Sequence, residues 1–401
     1  MSDIVVIGAG QAAASLVARL RSKGHEGKIT LIGEEPVPPY QRPPLSKDYL
    51  LGKMELERLF LRPEAFYAEN GIELLTSETA VSIDRADKKV VAGGEAISYD
   101  HCVLCTGSVP RRLPGAIGGE LDGVHVVRTL KDVDEMAPAC TEGKRVLIVG
   151  GGYIGLEAAA VCAKLGLKVT LVEAADRILQ RVAAPETSAW FRDLHKSHGV
   201  DLREGVGLKR LIGDTHVTGA ELADGTVLDV DFVIVGVGIT PATALAEACG
   251  VEIDNGIAVN ERGQTSDPSI WAAGDCASFP QNGTRMRLES VGNAIDMGEL
   301  VADNIMGLER DYVATPWFWS DQYDVKLQIA GLNAGYDRIV VREDGDARSH
   351  WYYSGDKLLA VDAMNDSRSY MVGKRLIEAG KSPDPEAVAD PATNLKALLK
   401  A

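Results

Sequence analysis

The chain has 401 residues, 45% of them apolar and 25% charged. At roughly 100–200 residues per domain this allows two to four domains, each burying its own core. The formal net charge of −16 argues against nucleic acid as the main partner, since phosphate would be repelled, but permits a small acidic protein that meets only a local basic rim.

No basic leader precedes the first strand pattern at Ile4, and no uncharged apolar run reaches the ~18 residues of a membrane span. The six cysteines are scattered, so no disulfide framework is expected. These features predict a cytoplasmic protein with no membrane association.

In chain order, Ile4-Val5-Val6-Ile7 is a short β-branched run followed by Gly8-Ala9-Gly10-Gln11-Ala12-Ala13. Beyond it Ala13, Leu16, Val17 and Leu20 share one helix face, and Ile29 to Ile32 is a second strand. Gly8 permits a tight turn, Gly10 lets backbone approach a pyrophosphate, and Ala13 still allows close packing of helix on strand. The helix N-terminus then offers free N–H groups to phosphates. Glu34, after the second strand, suits a ribose hydroxyl. A proline-rich loop, Glu34 to Leu45, leads to Ser46, read as a helix N-cap. Tyr99 to Thr106 reads as a buried strand ending at Gly107.

The same pattern returns at Val146-Leu147-Ile148-Val149, followed by Gly150, Gly152 and Gly155. Here Ile154, Ala158, Val161 and Leu165 are assigned to one helix face, and Val169 to Val172 forms the next strand. Glu173 closes that strand; its carboxylate accepts from a 2′-hydroxyl and repels a 2′-phosphate, which favours NAD over NADP. Arg177 and Arg181 weigh the other way, since either can meet that phosphate, and Arg181 can equally touch the NAD diphosphate or be a solvated helix residue. Two further buried strands, Asp231 to Val235 and Ile270 to Ala273, end in Gly236-Val237-Gly238 and Gly274-Asp275. Asp275 suits either a flavin ribityl hydroxyl or a helix N-cap. After about residue 314 the pattern changes: Val325, Leu327 and Ile329 alternate with polar positions. This predicts an antiparallel sheet with one wet face, covered by a helix near Ser369 to Ala379.

Two dinucleotide sites in one chain suit a flavin in one and a nicotinamide in the other, the nicotinamide giving hydride and the flavin accepting it. The pair Cys102 and Cys105 is the only C-x-x-C. It falls in a strand, where positions i and i+3 point to opposite faces, and a zinc site would need a second ligand pair, so no metal is expected. With no cysteine before Cys102, a thiol relay beside the first dinucleotide unit is disfavoured, and a one-electron acceptor reached through space is favoured.

The paired fingerprints, with Cys105-Thr106-Gly107, Gly236-Val237-Gly238 and Gly274-Asp275, resemble the two-dinucleotide flavoprotein superfamily that includes glutathione reductase. Within it, Pro43-Pro44-Leu45-Ser46-Lys47, the run Gly150 to Glu157 and Trp317-Phe318-Trp319-Ser320-Asp321-Gln322-Tyr323 resemble the ferredoxin reductases of bacterial cytochrome P450 and aromatic dioxygenase systems. The likeness covers nearly the whole chain.

It implies an α/β fold with two Rossmann-like domains and a C-terminal α+β domain. Residues 1–109 and 236–313 would bind FAD, 110–235 would bind NADH, and 314–401 would form the third domain. It implies FAD held by Gly8, Gly10, Ala12, Ala13, Glu34, Arg42, Lys47, Val81, Arg128, Asp275, Val291 and Trp319. NADH would be held by Gly150, Gly152, Ile154, Gly155, Glu157, Glu173, Arg181 and Gly236. Lys47 and Glu157 would be a catalytic ion pair. Trp317 and Trp319, two apart on a strand, share a face, which is either packing or a flavin and docking surface. The implied partner is a [2Fe–2S] ferredoxin feeding a P450 or dioxygenase, with the chain a monomer or homodimer. Rubredoxin, quinone or oxygen as acceptor, or a flavin-bound redox sensor, are the alternatives.

Overall fold

The computed structural model describes residues 2–281 and 283–400. The chain divides into two units: Met1–Arg42, Met54–Val109 and Ile239–Pro316 form one, and Pro43–Lys53, Pro110–Gly238 and Trp317–Ala401 the other.

In the first unit five strands pair in parallel in the order Ile270–Ala272, His101–Leu104, Ile4–Ile7, Ile29–Ile32, Ile72–Leu75. In the second unit Phe232–Val235, Arg145–Val149, Lys168–Glu173 and Asp201–Glu204 take the places of His101–Leu104, Ile4–Ile7, Ile29–Ile32 and Ile72–Leu75, but the fifth strand, Val124–His125, comes earliest in that sheet's chain order whereas Ile270–Ala272 comes last in the first. Such continuous apolar runs suit strands covered on both faces. In each sheet the chain reverses direction of addition beside the strand that leads into the glycine motif, which puts a switch point between Ile4–Ile7 and His101–Leu104, and another between Arg145–Val149 and Phe232–Val235. Ligands of doubly wound sheets bind outside the carboxyl ends of strands at such points.

The helix Gln11–Ser22 buries Ala12, Ala13, Leu16, Val17 and Leu20, the face read from its period. It packs on the helix Val291–Ile305 at backbone distance: a Cβ on Gly298 would lie 2.4 Å from the Ala12 carbonyl oxygen. Arg19 clamps the same pair of helices, its Nε and Nη2 donating to Asp303 at 2.7 and 2.8 Å. In the helix Tyr153–Lys164, Ala158 and Val161 are buried as expected, but Ile154 is 43% exposed. Ile154 is the second residue of the helix, and the buried stripe starts one residue later, at Gly155.

The C-terminal segment forms a five-stranded antiparallel sheet in the order Trp317–Gln322, Val325–Gly331, Lys357–Met364, Ala347–Ser354, Arg338–Asp344. The helix Ser367–Glu378, N-capped by Asp366, packs on it. The alternation of Val325 and Leu327 with exposed Lys326 holds, but the expectation of one wet face fails in the strand Ala347–Ser354, where Ser349 through Tyr353 are all buried. Its two faces are both covered, because Tyr352 packs with Ala184 while Trp351 and Tyr353 pack with Val372 and Leu376. Among the described residues no helix is long and apolar enough to cross a membrane.

Arg19, and after it Arg310, hold the buried Asp303 carboxyl below its usual range through hydrogen bonds and charge. A depressed carboxylate stabilises the fold above the unfolded value near pH 4 and loses that contribution as pH falls through its own lower value. Arg19→Ala is therefore expected to destabilise the protein by about 3 kcal/mol at pH 7, by leaving a buried charge half-compensated. The difference from the parent should shrink below about pH 4, as followed by urea denaturation at both pH values.

Candidate functional site: two glycine turns and a buried carboxylate

Each parallel sheet carries a glycine turn at its switch point. Gly8 has φ +99°, and a Cβ there would lie 2.3 Å from the carbonyl oxygen of Cys105 on the adjacent strand end. Gly150 has φ +109° and would collide in the same way with the carbonyl of Gly236, at 2.4 Å. Only glycine fits either position. Gly155 is required too, since its Cβ would meet the Gly150 carbonyl oxygen at 2.0 Å; Ala13 takes the corresponding place in the first unit, fully buried.

The helices that follow begin at Gly10 and Gly152, with no side-chain cap hydrogen bond and no acid in the first turn. Three of the other long or medium helices are capped, by Thr129 with Asp132, by Ser290 and by Asp366, whereas Glu64–Glu69, Pro185–Ser197 and Ala244–Ala248 also lack a side-chain cap but do not start on glycine. A Cβ on Gly10 or Gly152 would meet nothing within 4 Å, so the backbone there faces open space. Free N–H groups, a positive dipole end and space for backbone approach fit a diphosphate at both turns.

Around the first turn, Ala12 is buried against Gly274 and Gly298. Glu34 is exposed after the second strand, and it is the neighbouring Glu35 that holds Arg42, at 2.7 Å, and the Tyr40 hydroxyl, at 2.6 Å. Asp275 accepts from the Ser108 hydroxyl at 3.0 Å. It lies in a turn leading to the strand Ala277–Gln281, so its reading as a helix N-cap is wrong; the nearest helix starts at Val291 and is capped by Ser290. The Val81 side chain is exposed on the strand Ala80–Asp84.

Around the second turn, Glu173 accepts from the Gly151 N–H at 2.7 Å and the Ala175 N–H at 2.8 Å, which pins its carboxylate at the glycine loop. Each oxygen keeps a lone pair for a ribose hydroxyl. Arg177 is engaged with Ser188 and the Gln180 carbonyl. Arg181 is exposed, with Nη2 3.7 Å from the place of a Cβ on Gly238. Arg128 is half-buried just before the capped helix Leu130–Met136.

Lys47, Arg128 and Trp319 all lie in the second unit, where Lys47 and Glu157 form an ion pair of 2.8 Å. Glu157 sits among alanines and leucine on the helix Tyr153–Lys164 and is 3% exposed. An unpaired carboxylate so placed would be costly. It accepts three hydrogen bonds from three side chains in two segments: Lys47 Nζ and the Ser46 hydroxyl at 2.9 Å reach Oε2, and the Ser320 hydroxyl reaches Oε1 at 2.7 Å. Lys47 also donates to the Pro43 carbonyl at 3.2 Å. Ser46 is thus not an N-cap. Pro43–Ser46 is a short 3-10 turn whose serine points inward to the carboxylate.

Trp317 and Trp319 do share a face, their rings stacked with centroids 5.6 Å apart, while Phe318 packs on Tyr153 at 4.8 Å. Sequence reasoning missed Ser46 and Ser320 as partners of Glu157, although both stand inside motifs it had singled out. The one available signal was a glutamate within an apolar helix stretch, which demands polar neighbours.

Cys102 and Cys105 are buried and unpaired. Burial pushes both thiols far up from their ordinary range. Among the described residues no group of three or more histidine, cysteine, aspartate or glutamate side chains could hold a metal ion.

A family profile described as pyridine nucleotide-disulphide oxidoreductase matches residues 2–298, and one described as reductase C-terminal matches 317–399. A 5,5′-dehydrodivanillate O-demethylase ferredoxin reductase subunit of Sphingobium sp. is 42% identical, over 100% of this chain and 98% of its own. A ferredoxin–NAD(P)+ reductase of Sphingomonas sp. is 43% identical, over 99% of this chain and 97% of its own. Among solved structures, the covalent putidaredoxin reductase–putidaredoxin complex matches with a TM-score of 0.96 at 39% identity, covering 100% of this chain and 98% of that one.

The burial of both thiols has a direct consequence. A disulfide-exchange reagent is expected to label Cys102 and Cys105 at least about a hundredfold more slowly in the native protein than in denaturant. Mass spectrometry of the labelled peptides checks this, and fast native labelling of either cysteine contradicts the buried reading.

Proposed function

The chain belongs to the pyridine nucleotide-disulphide oxidoreductase family, and within it we propose an FAD-containing NADH:ferredoxin oxidoreductase that passes electrons singly to a [2Fe–2S] ferredoxin. The ferredoxin would in turn feed a cytochrome P450 or an aromatic-ring dioxygenase. The observation that carries this reading is the pair of uncapped glycine turns at two switch points of one chain. FAD, when bound, accepts two electrons as hydride and gives them up one at a time.

In this reading residues 1–109 and 236–313 bind FAD, 110–235 bind NADH, and 314–401 form the remaining domain. Gly8, Gly10 and the helix start they open take the FAD diphosphate; Glu34 takes a ribose hydroxyl and Asp275 a ribityl hydroxyl. Gly150, Gly152, Gly155 and Gly236 leave room for NADH, and Glu173 selects it over NADPH by accepting from the 2′-hydroxyl. By resemblance Lys47, Arg128 and Trp319 also serve the flavin. Lys47 holds its ammonium where negative charge develops on hydride arrival, and Glu157 aims and anchors that ammonium.

The buried thiols favour a direct acceptor over a disulfide. A disulfide substrate needs an accessible thiolate, and neither Cys102 nor Cys105 supplies one.

The purified protein is expected to be yellow, to be bleached by NADH at least tenfold faster than by NADPH, and to reduce cytochrome c only when a ferredoxin is added. Lys47→Ala should slow flavin reduction by about a hundredfold, by removing the cation that Glu157 anchors; stopped-flow absorbance measures it. A colourless polypeptide that cannot be reconstituted, or turnover indifferent to every ferredoxin tried, would falsify the proposal.

A further inference from the structure

Glu157 is the end of a longer buried chain of hydrogen bonds inside the second unit. Ser320 bonds Glu157 Oε1 at 2.7 Å, Gln322 Nε2 bonds Ser320 Oγ at 3.1 Å, and Gln322 Oε1 meets His195 Nε2 at 2.8 Å. The Tyr323 hydroxyl meets His195 Nδ1 at 3.1 Å. Ser320, Gln322 and His195 are all fully buried.

The direction of every bond follows from the carboxylate. A carboxylate only accepts, so the single Ser320 hydrogen goes to Glu157. Ser320 Oγ must then accept from Gln322, which fixes the amide with Nε2 toward Ser320 and Oε1 toward His195. The flipped amide would set a carbonyl oxygen against an oxygen with no hydrogen left to give. Gln322 Oε1 in turn requires a hydrogen on His195 Nε2. Burial pushes the His195 imidazole down to about 4, so it is neutral near pH 7 and Nδ1 is bare. Nδ1 therefore accepts from the Tyr323 hydroxyl. All four donors point the same way, toward Glu157, and bonds aligned in series polarise one another.

We propose that His195, Gln322 and Ser320 are positioning residues, a one-way hydrogen-bond chain that holds the Glu157 carboxylate and, through it, the Lys47 ammonium. The proposal rests on the reading of Lys47 and Glu157 as the pair that serves hydride transfer. The chain is not a proton wire: a carboxamide cannot pass a proton without leaving its amide form, and Gln322 interrupts the path. Its effect is electrostatic and geometric. The charged and titratable groups facing it are Lys47 at one end and, at the other, Tyr323, Lys164 and His198. Lys164 donates to the Tyr323 carbonyl at 2.6 Å, and His198 stacks on the Tyr323 ring at 3.6 Å.

Two measurements test it. In protein labelled with 15N-histidine, long-range 1H–15N correlation at neutral pH should show His195, assigned by its absence in His195→Gln, as the neutral Nε2–H tautomer. An Nδ1–H tautomer or an imidazolium overturns the chain, whatever the protein catalyses. Second, His195→Leu removes the donor to Gln322, while His195→Gln can keep an N–H there. His195→Leu should lower the limiting rate of flavin reduction by about tenfold with the NADH dissociation constant unchanged. It should also make the flavin midpoint potential more negative by about 30 mV, the two-electron equivalent of tenfold. His195→Gln should recover both to within about threefold of the parent. Equal losses in the two variants, or a loss confined to melting temperature, make His195 merely structural and overturn the proposal. Parent flavin that NADH fails to reduce sinks the functional reading instead.

Discussion

The structure depends first on two places where backbone meets backbone. Gly8 against the Cys105 carbonyl, and Gly150 against the Gly236 carbonyl, bring the strand that leads into each glycine motif so close to its switch-point neighbour that no side chain fits. That approach sets where each following helix starts and aims it. Because both helices begin on glycine without a capping side chain, their first N–H groups stay unsatisfied by protein. A helix end left so in an apolar sheet edge is unfavourable unless water or an anion completes it. The same constraint thus produces the fold and the binding chemistry. It also suits the order of four corresponding strands that the two sheets share although their remaining sequence differs.

The second dependence is local and electrostatic. Glu157 is carried into the interior by a helix whose other buried residues are glycine, leucine, alanine, valine and cysteine. Its desolvation is offset by Lys47 and by two serine hydroxyls from segments distant in sequence, Pro43–Ser46 and Trp317–Gln322. One carboxylate therefore ties the proline-rich loop and the first strand of the C-terminal sheet to the second dinucleotide unit. This accounts for the grouping of Pro43–Lys53 with Pro110–Gly238 and Trp317–Ala401. A buried ion pair is weak evidence for stability, since apolar residues of equal volume often serve as well. Its retention here is better explained by the need for a fixed cation at a defined place.

Much of this was legible in the sequence, and the reasons are physical. Continuous apolar runs exposed the parallel strands, and the period-3.6 pattern the buried face of Gln11–Ser22, because those elements are covered continuously and their burial is imposed along the chain. The glycine spacing exposed the turns, because only glycine tolerates the approach. Three readings failed where the deciding contact is long-range. Ser46 looks like an N-cap locally, yet its hydroxyl is taken by a carboxylate far along the chain. Ile154 has the right period for the core but sits at the helix start, ahead of the buried stripe. The strand Ala347–Ser354 belongs to the sheet expected to have one wet face, yet is covered on both. Lys47 was legible only through family resemblance, and the hydrogen-bond chain to His195 was not legible at all, since no local pattern records which buried polar groups find one another.

The family name promises a disulfide, and both thiols of this chain's C-x-x-C are buried away from any such substrate. Cys102 lies in the strand His101–Leu104 and Cys105 just beyond it, both sealed in the core of the first unit. A covalent relay demands a thiolate at bonding distance and a substrate shaped to reach it. Outer-sphere transfer to an iron–sulfur protein demands only proximity and a suitable potential. Once the thiols are withdrawn, the surviving requirement is control of charge at the hydride step. In the proposed reading, a lysine held by an interior carboxylate, itself held from behind by oriented dipoles, meets that requirement without forming or breaking a bond to the protein.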